Sequence, residues 1–285
     1  MTTPNQSPET TRPVLILGGT GKTGRRVAEQ LEARDVPLRI GSRSAATPFE
    51  WNDPSTWAPV LQDVTAVYMV YYPDLAVPGA ADTIQAFTDQ AVRSGARHLV
   101  LLAGRGEDEA DRCERIVQAS GVDWTILRPT WFNQNFSEGF MREPVLSGTV
   151  ALPVTDVLEP FVDVEDIADV AVAALTDPGR HAGQVYELTG PRLMAFPEAI
   201  GEIARARGED IAFVPVTHGV YLAALEEQGV PDDFIWLLGY LFSEVMDGRN
   251  SHLTDGVHRA LGRPPRDFRD YAERTAATGV WGVAA

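Results

Sequence analysis

A glycine-rich turn directly after a short apolar run constrains this chain more than any other feature. Residues 14–17 are Val, Leu, Ile and Leu, and residues 18–24 read Gly-Gly-Thr-Gly-Lys-Thr-Gly. An unbroken run of aliphatic and β-branched residues predicts a buried strand. Val27, Ala28 and Leu31 follow at helical spacing and predict a helix after the turn. A strand, a glycine turn and a helix in this order are typical of a dinucleotide-binding fold.

Each glycine of the motif has a separate structural role. Gly18, Gly21 and Gly24 form the pattern GxxGxxG. One glycine permits the tight turn, another lets the backbone approach a pyrophosphate, and a third allows close packing of helix on strand. The start of the helix adds free N–H groups and a positive dipole end for the phosphates. The predicted cofactor contacts in this turn are Gly18, Thr20, Gly21, Lys22, Thr23 and Gly24.

A phosphate-binding P-loop is the competing interpretation, because Gly21-Lys22-Thr23 reads GKT. That motif requires a glycine five residues before Gly21, and the position holds Ile16, inside the predicted strand. The P-loop is therefore disfavoured. Lys22 is the only lysine of the chain. It is interpreted either as a phosphate contact or as a solvated turn residue, and the sequence leaves both open.

The end of the second predicted strand, residues 38–42, indicates which nicotinamide is bound. An NAD site usually places Asp or Glu there for the ribose 2′-hydroxyl, but no acid lies between Val36 and Phe49. Arg43 offers a guanidinium suited to a 2′-phosphate; the alternative is an ordinary surface arginine. The prediction is NADP(H) as cofactor, with Ser42 and Arg43 among its contacts.

Strands and helices alternate through the first 130 residues. Further strands are predicted at 49–51, 66–72, 99–103 and 125–127, with helices at 84–94 and 113–119. This alternation predicts an α/β fold with a Rossmann-type, doubly wound parallel sheet. The predicted domains are a disordered tail at 1–12, a dinucleotide-binding core at 13–130 and 160–189, and a smaller, mostly helical substrate lobe at 131–159 and 190–285. Beyond residue 130, helices are predicted at 167–175, Phe196–Arg207 and 218–245, and a strand is predicted at Gln184–Leu188.

Ligands of open α/β sheets bind at the carboxyl ends of the strands, so residues there and on the lobe are candidates. The predicted cofactor contacts at strand ends are Tyr71, Ala103 and Pro129. The predicted substrate contacts are Tyr72, Trp131, Phe132, Asn133, Asn135, Tyr221, Trp236 and Tyr240. For the aromatic members, packing in the core is the alternative interpretation.

Composition narrows the class of partner. The net charge of −16 opposes binding to nucleic acid, and no run of basic residues offsets it. No apolar run approaches the roughly 18 residues of a membrane span, and residues 1–13 lack a secretory signal, so a cytoplasmic location is expected. The single cysteine, Cys113, and histidines without ligand spacing predict no metal site. A small molecule is the expected partner, and the sequence makes no prediction of oligomeric state.

Four motifs give the chain a family resemblance. Residues 18–24, 127–136, 161–168 and 186–191 resemble the NmrA-like branch of atypical short-chain dehydrogenases, over nearly the whole chain. Within that branch, the glycine turn and the ending at 276–281 look like the ergot-alkaloid-reductase-like group of festuclavine and agroclavine dehydrogenases. The resemblance implies NADPH-dependent reduction of an iminium or a related electron-poor carbon. The branch also contains quinone and dye reductases, and regulators that bind the dinucleotide without turning it over.

The chain departs from the wider superfamily at the catalytic step. That superfamily uses a Tyr-x-x-x-Lys pair as proton donor, and a chain whose only lysine is Lys22 cannot form it. The strand that usually ends in Ser ends at Ala103-Gly104, and Ala110 stands four residues before Glu114, where relatives may carry Lys or His. The prediction is a reductase that needs only hydride transfer to a polarised acceptor. The alternative is a non-catalytic redox sensor that binds NADP(H) and contacts a partner protein.

Overall fold

The strands of the molecule form one large and one small parallel sheet. The computed structural model describes residues 12–282; the predicted disordered tail lies outside this range except for its last residue. Six strands pair in the order β2-β1-β3-β4-β5-β7, and two more pair as β6-β8. Their bounds are β1 Val14–Leu17, β2 Leu38–Gly41, β3 Ala66–Met69, β4 His98–Leu102, β5 Asp123–Pro129, β6 Thr149–Leu152, β7 Gln184–Leu188 and β8 Ala212–Pro215.

Helices cover both faces of the large sheet, which confirms the predicted doubly wound fold. α1 and α7 pack together, as do α3 and α4. The helix bounds are α1 Lys22–Glu32, α2 Trp57–Leu61, α3 Ala80–Arg93, α4 Asp108–Gln118, α5 Asn135–Glu138, α6 Arg142–Ser147, α7 Val164–Thr176, α8 Pro178–His181, α9 Phe196–Arg207, α10 His218–Glu227, α11 Asp232–Tyr240, α12 Gly256–Leu261 and α13 Phe268–Ala277. A π-helical turn, Leu241–Val245, extends α11.

The strand predicted at 49–51 does not form. Phe49 and Trp51 are buried, and their rings pack at 5.7 and 5.0 Å from that of Phe87 on α3. The Trp51 indole Nε1 donates to the Val70 carbonyl at 3.0 Å, and the Trp57 indole donates to that of Glu50 at 2.8 Å. These aromatic residues fill the core beside α3 instead of pairing in the sheet, so the short apolar run indicated burial and not a strand.

Two apolar clusters lie on the two faces of the large sheet, and a third lies in the remaining chain. The clusters on the sheet combine the strands with α1 and α7 on one face and with α2, α3 and α4 on the other. All four side chains of β1 are buried, as expected for a parallel strand covered on both sides. The third cluster runs from Trp131 to Trp281 and includes β6. In contrast, α12 lies within the range predicted for the smaller lobe but packs on β7 and α7.

The acidic residues at the start of α7 cap the helix or form ion pairs. Asp163 is its N-cap: the carboxylate accepts a hydrogen bond from the Glu165 N–H at 3.0 Å. The buried Asp163 carboxylate also accepts from Arg274 at 2.7 Å, which ties α13 to the start of α7. Asp166 is paired with Arg263 at 2.7 Å. These acids therefore have structural partners. In the described part of the chain, no helix combines the length and apolar character that a membrane crossing requires.

Candidate cofactor and substrate site

Three glycines of the turn occupy positions where a side chain would be strained or would clash. Gly18 has a φ of +66°, in the left-handed region that glycine adopts without strain. A Cβ on Gly24 would overlap the Gly18 carbonyl, and one on Gly19 would lie 2.8 Å from the Ile40 side chain. The turn is also tied to the neighbouring strand, because the Gly18 N–H donates to the Gly41 carbonyl at 3.1 Å. The glycines thus hold α1 close to β1 and β2.

No side chain caps the amino end of α1, so its first backbone N–H groups can donate hydrogen bonds to a ligand. Gly21 is the N-cap, and no side chain accepts a hydrogen bond from the first turn. Thr20 is exposed beside it, and Thr23 is buried under the turn. A helix end with uncapped N–H groups and a positive dipole is suited to a phosphate group. The turn therefore fits the pyrophosphate of a dinucleotide.

Lys22 spans the gap between this turn and the segment after β5. Its Nζ donates to the Asn135 Oδ1 at 2.9 Å, and the side chain is half-buried. Burial lowers the pKa of Lys22, the Glu138 carboxylate opposes this, and the Arg25 charge adds to it. The sequence leaves open whether Lys22 is a phosphate contact or a solvated turn residue. A half-buried, hydrogen-bonded ammonium group does not fit the solvated turn residue.

Arg43 follows the strand that borders the glycine turn, and its guanidinium has no partner in the described chain. The strand register places Gly41 beside Leu17, and the Gly18 N–H donates to the Gly41 carbonyl, so the loop that carries Arg43 begins beside the glycine turn. Arg43 is exposed, and within residues 12–282 its guanidinium has no ion pair and no hydrogen bond. By contrast, Arg39 of the same strand donates to the carbonyl groups of Val60 and Gln62, both at 2.7 Å.

A cavity of about 220 Å³ lies at the carboxyl ends of β3, β4 and β5, under α11. Six residues predicted from the sequence line it: Lys22, Ala103, Pro129, Trp131, Phe132 and Asn135. Its apolar wall also includes residues that the sequence did not single out: Phe140, Phe234, Leu237, Leu238, Leu241, Val245 and Met246. Besides Lys22, polar groups reach it from four more residues with titratable side chains, Asp74, Arg105, Glu107 and Glu159, and from Asn250.

The other predicted substrate residues do not line this cavity. Trp236 is 43% exposed and stacks on Tyr240 with ring centroids 5.5 Å apart, while Tyr72 is 67% exposed. Tyr221 packs against Phe242. Asn133 is fully buried, with no hydrogen bond to either amide atom among the described residues. Tyr71, predicted as a cofactor contact, packs with its ring 5.0 Å from that of Trp51.

Two of the cavity acids are deeply buried. Glu107 is 7% exposed and Glu159 is 1% exposed, and in each case the Oε2 has no hydrogen-bond partner in the described chain. Burial raises the pKa of Glu159 to about 7, although the Trp131 N–H and the Arg105 charge act to lower it. Asp74, in contact with Glu107, has a raised pKa through burial. No sequence spacing marks these residues, because they come from separate loops.

Glu114, four residues after Ala110 on α4, has a structural partner. Its buried carboxylate accepts from the Arg128 Nε at 2.8 Å, and Arg128 also reaches the Glu187 Oε1 at 3.0 Å. This ion-pair network joins α4 to β5 and β7. Glu114 is absent from the cavity lining.

The sheet order, the uncapped helix end after the glycine turn and the cavity beside it define a dinucleotide-binding protein of the Rossmann type. The chain belongs to the NAD(P)H-binding family, which it matches over residues 18–178. It is 31% identical to festuclavine synthase I of Penicillium roqueforti, over 91% of this chain and 97% of that protein. This relative confirms the resemblance to the festuclavine and agroclavine dehydrogenase group.

Two further proteins show how widely the fold is used. The chain is 29% identical to prestalk A differentiation protein A of Dictyostelium discoideum, over 92% of both chains. The NADPH-dependent quinone oxidoreductase of Escherichia coli, solved with NADPH, superposes with a TM-score of 0.77 at 19% identity, over 92% of this chain and 99% of that one. The second likeness supports the fold alone.

Proposed function

We propose that this chain is an NADPH-dependent reductase that passes hydride to a small, electron-poor acceptor. The observation that carries the proposal is the apolar cavity that begins at Lys22, next to the glycine turn, and continues under α11. A bound nicotinamide would supply the hydride at the strand ends. The protein would hold the acceptor beside it and exclude water.

The cavity wall suits a flat, largely apolar acceptor. The Trp131 ring packs 5.3 Å from Phe242 and 5.5 Å from Phe196, so it is held firmly at the cavity edge. Aromatic and aliphatic walls with a few polar groups are typical of sites for small organic ligands. An iminium, a quinone or a similar acceptor matches this wall, and the name of the festuclavine synthase relative favours the same class.

The preference for NADPH over NADH is part of this proposal. Arg43 is exposed and has no partner in the described chain, and no acid occurs between Val36 and Phe49 to bind a ribose 2′-hydroxyl. A guanidinium forms strong charge-assisted hydrogen bonds with phosphate. Lys22 and the amino end of α1 would contact the pyrophosphate, with Asn135 holding the lysine in place.

NADPH oxidation by the purified protein, with iminium, quinone and triarylmethane acceptors in turn, tests the proposal. We expect acceptor-dependent oxidation with at least one class. A protein that binds NADPH but oxidises it with none of them would instead support the redox-sensor function.

A further inference from the structure

Two carboxyl groups face each other in the wall of the cavity. Asp74 follows β3 and Glu107 follows β4, so the parallel strands deliver both to the same edge of the sheet. We propose that Asp74 and Glu107 share one proton, and that Glu107 donates it to the bound acceptor as the acceptor is reduced. This inference rests on the proposed reductase function and adds to it a proton donor for neutral acceptors.

The fold makes room for the Glu107 carboxyl group at this place. Glu107 lies over Gly104, where a Cβ would overlap its carboxyl atoms, so only glycine at position 104 admits this arrangement. The Glu107 side chain is 7% exposed and its Oε2 has no partner among the described residues. A buried carboxyl oxygen without a partner calls for a proton or a ligand group to satisfy it.

One proton between the two groups removes the repulsion between neighbouring carboxylates. Ionised carboxylates only accept hydrogen bonds, and two of them side by side in a partly buried site repel. Asp74 already accepts from the Ala76 N–H at 2.9 Å. Burial, and then the charge of Asp74, raise the pKa of Glu107 well above its ordinary value. Glu107 is the more deeply buried of the two side chains and is therefore the proton carrier, with Asp74 as the carboxylate that holds the proton.

The charged groups around Asp74 and Glu107 keep Glu107 protonated. On α4, Asp111 and Glu114 add negative charge that raises the pKa of Glu107 further. Arg105, after β4, is engaged by Glu187 at 3.5 Å and by the His252 carbonyl at 3.0 Å. The nearby basic group Lys22 donates to Asn135, and from α11 the Tyr240 hydroxyl faces the loop of Glu107. In the described chain, no cation forms an ion pair with Asp74 or Glu107.

The reaction balances with a reduced nicotinamide as hydride donor. A quinone gains the hydride with its two electrons, the Glu107 O–H bond breaks, and the proton passes to a quinone oxygen to complete the hydroquinone. The acid pair is left doubly negative, and solvent returns one proton to it. A cationic iminium becomes a neutral amine on gaining hydride alone, so it does not use the pair. The acid pair thus extends the substrate class to neutral acceptors.

Infrared spectroscopy of the cofactor-free protein tests the shared proton directly. At about pH 8, above the usual range for carboxyl groups, we expect the C=O band of a protonated carboxyl in the wild type. The band should disappear in Glu107→Gln and weaken in Asp74→Asn, where the neighbouring negative charge is gone. Glu159→Gln, a second buried acid of the same cavity, should retain it. A band that persists in Glu107→Gln, or disappears only in Glu159→Gln, overturns the shared proton.

Kinetics with a benzoquinone and an iminium acceptor test the proton transfer. Loss of a general acid should lower the quinone rate of Glu107→Gln by roughly 10²–10⁴-fold, and the iminium rate far less, with the NADPH Kd unchanged. Equal losses for both acceptors, or a full quinone rate, overturn the donor role. If neither acceptor is reduced by the wild type, the reductase function fails while the infrared result still decides the acid pair. Should Glu107→Gln not fold, Asp74→Asn is the second test: the C=O band should weaken, and the quinone rate should fall more than the iminium rate.

Discussion

At the scale of single residues, the candidate site depends on polar side chains that have no partner in the described chain. Arg43 is exposed next to the glycine turn with no partner in the described chain, whereas most other arginines near the site are paired. Arg26, for example, pairs with Glu138 and Glu165. A free guanidinium loses no ion pair when a phosphate arrives, so its contribution to binding is not offset.

Arg43 should therefore decide the cofactor preference. Charge-assisted hydrogen bonds contribute about 1.5–3 kcal/mol, so Arg43→Ala should weaken NADPH binding by roughly 10- to 150-fold. NADH binding should barely change, because NADH has no 2′-phosphate. Arg43→Asp should reverse the preference, since it repels the phosphate and can accept from a ribose hydroxyl. Titration of both cofactors, followed by fluorescence or calorimetry, measures these affinities.

A matched control comes from the opposite edge of the sheet. Arg97 is also exposed, but it precedes β4 and so lies at the amino ends of the strands. Arg97→Ala changes the net charge by the same amount as Arg43→Ala and should leave both affinities near wild type. Equal wild-type affinity for NADH and NADPH, or an unchanged preference in Arg43→Ala, would contradict the role of Arg43.

At the scale of elements, α11 divides its aromatic residues between two faces. Phe234, Leu237, Leu238 and Leu241 recur at helical spacing and face the cavity. Trp236 points away, 43% exposed and stacked on Tyr240. The aromatic content of this segment indicates an apolar wall. Which residues form the wall depends on how the helix is rotated against the sheet edge.

Two aromatic residues of α11 test this division. Phe234→Ala removes part of the cavity wall and should lower kcat/KM for an active acceptor by roughly 5- to 30-fold, about 1–2 kcal/mol of apolar contact. The NADPH Kd should stay near wild type. Trp236→Ala, two residues along the same helix, should leave kcat/KM almost unchanged. A larger loss in Trp236→Ala than in Phe234→Ala would place the acceptor on the other face.

At the scale of the whole molecule, ion pairs join the glycine-turn helix to the chain beyond β5. The Arg26 side chain is 12% exposed; its Nε contacts the Glu165 Oε1 at 2.5 Å, and its Nη2 contacts the Glu138 Oε1 at 2.8 Å. Hydrogen bonds from Arg26 and Arg25 lower the pKa of Glu138, although burial acts to raise it. The network fixes α1, α5 and α7 relative to one another.

Removal of Arg26 should weaken the whole fold. Arg26→Met should lower the free energy of unfolding by about 1.5–3 kcal/mol, because two half-buried carboxylates lose charged hydrogen bonds. Arg34→Met is the matched control: Arg34 follows the same helix, is exposed and donates only to the Gln30 carbonyl. Urea unfolding of both variants measures the difference. Equal losses would mean that the network adds nothing beyond an exposed arginine.

Much of this molecule could be predicted from the sequence because the signals are local. The order of strands and helices follows from the spacing of apolar residues along contiguous segments. The glycine turn follows from the need for positions without a Cβ next to β1, which the structure confirms at Gly18 and Gly24. Six of the predicted site residues line the cavity, because strand ends and the loop after β5 meet at one edge of a parallel sheet.

The tertiary structure alone decided three features. Residues 49–51 pack against α3 in the core and do not form a strand. A short apolar run in the sequence is compatible with both outcomes. Packing on the sheet edge turned Phe234, and not Trp236, towards the cavity. Asp74 and Glu107 became a pair only because β3 and β4 run side by side and end together. Sequence patterns specify periodicity within a segment, whereas contacts between distant segments exist only once the sheet has formed.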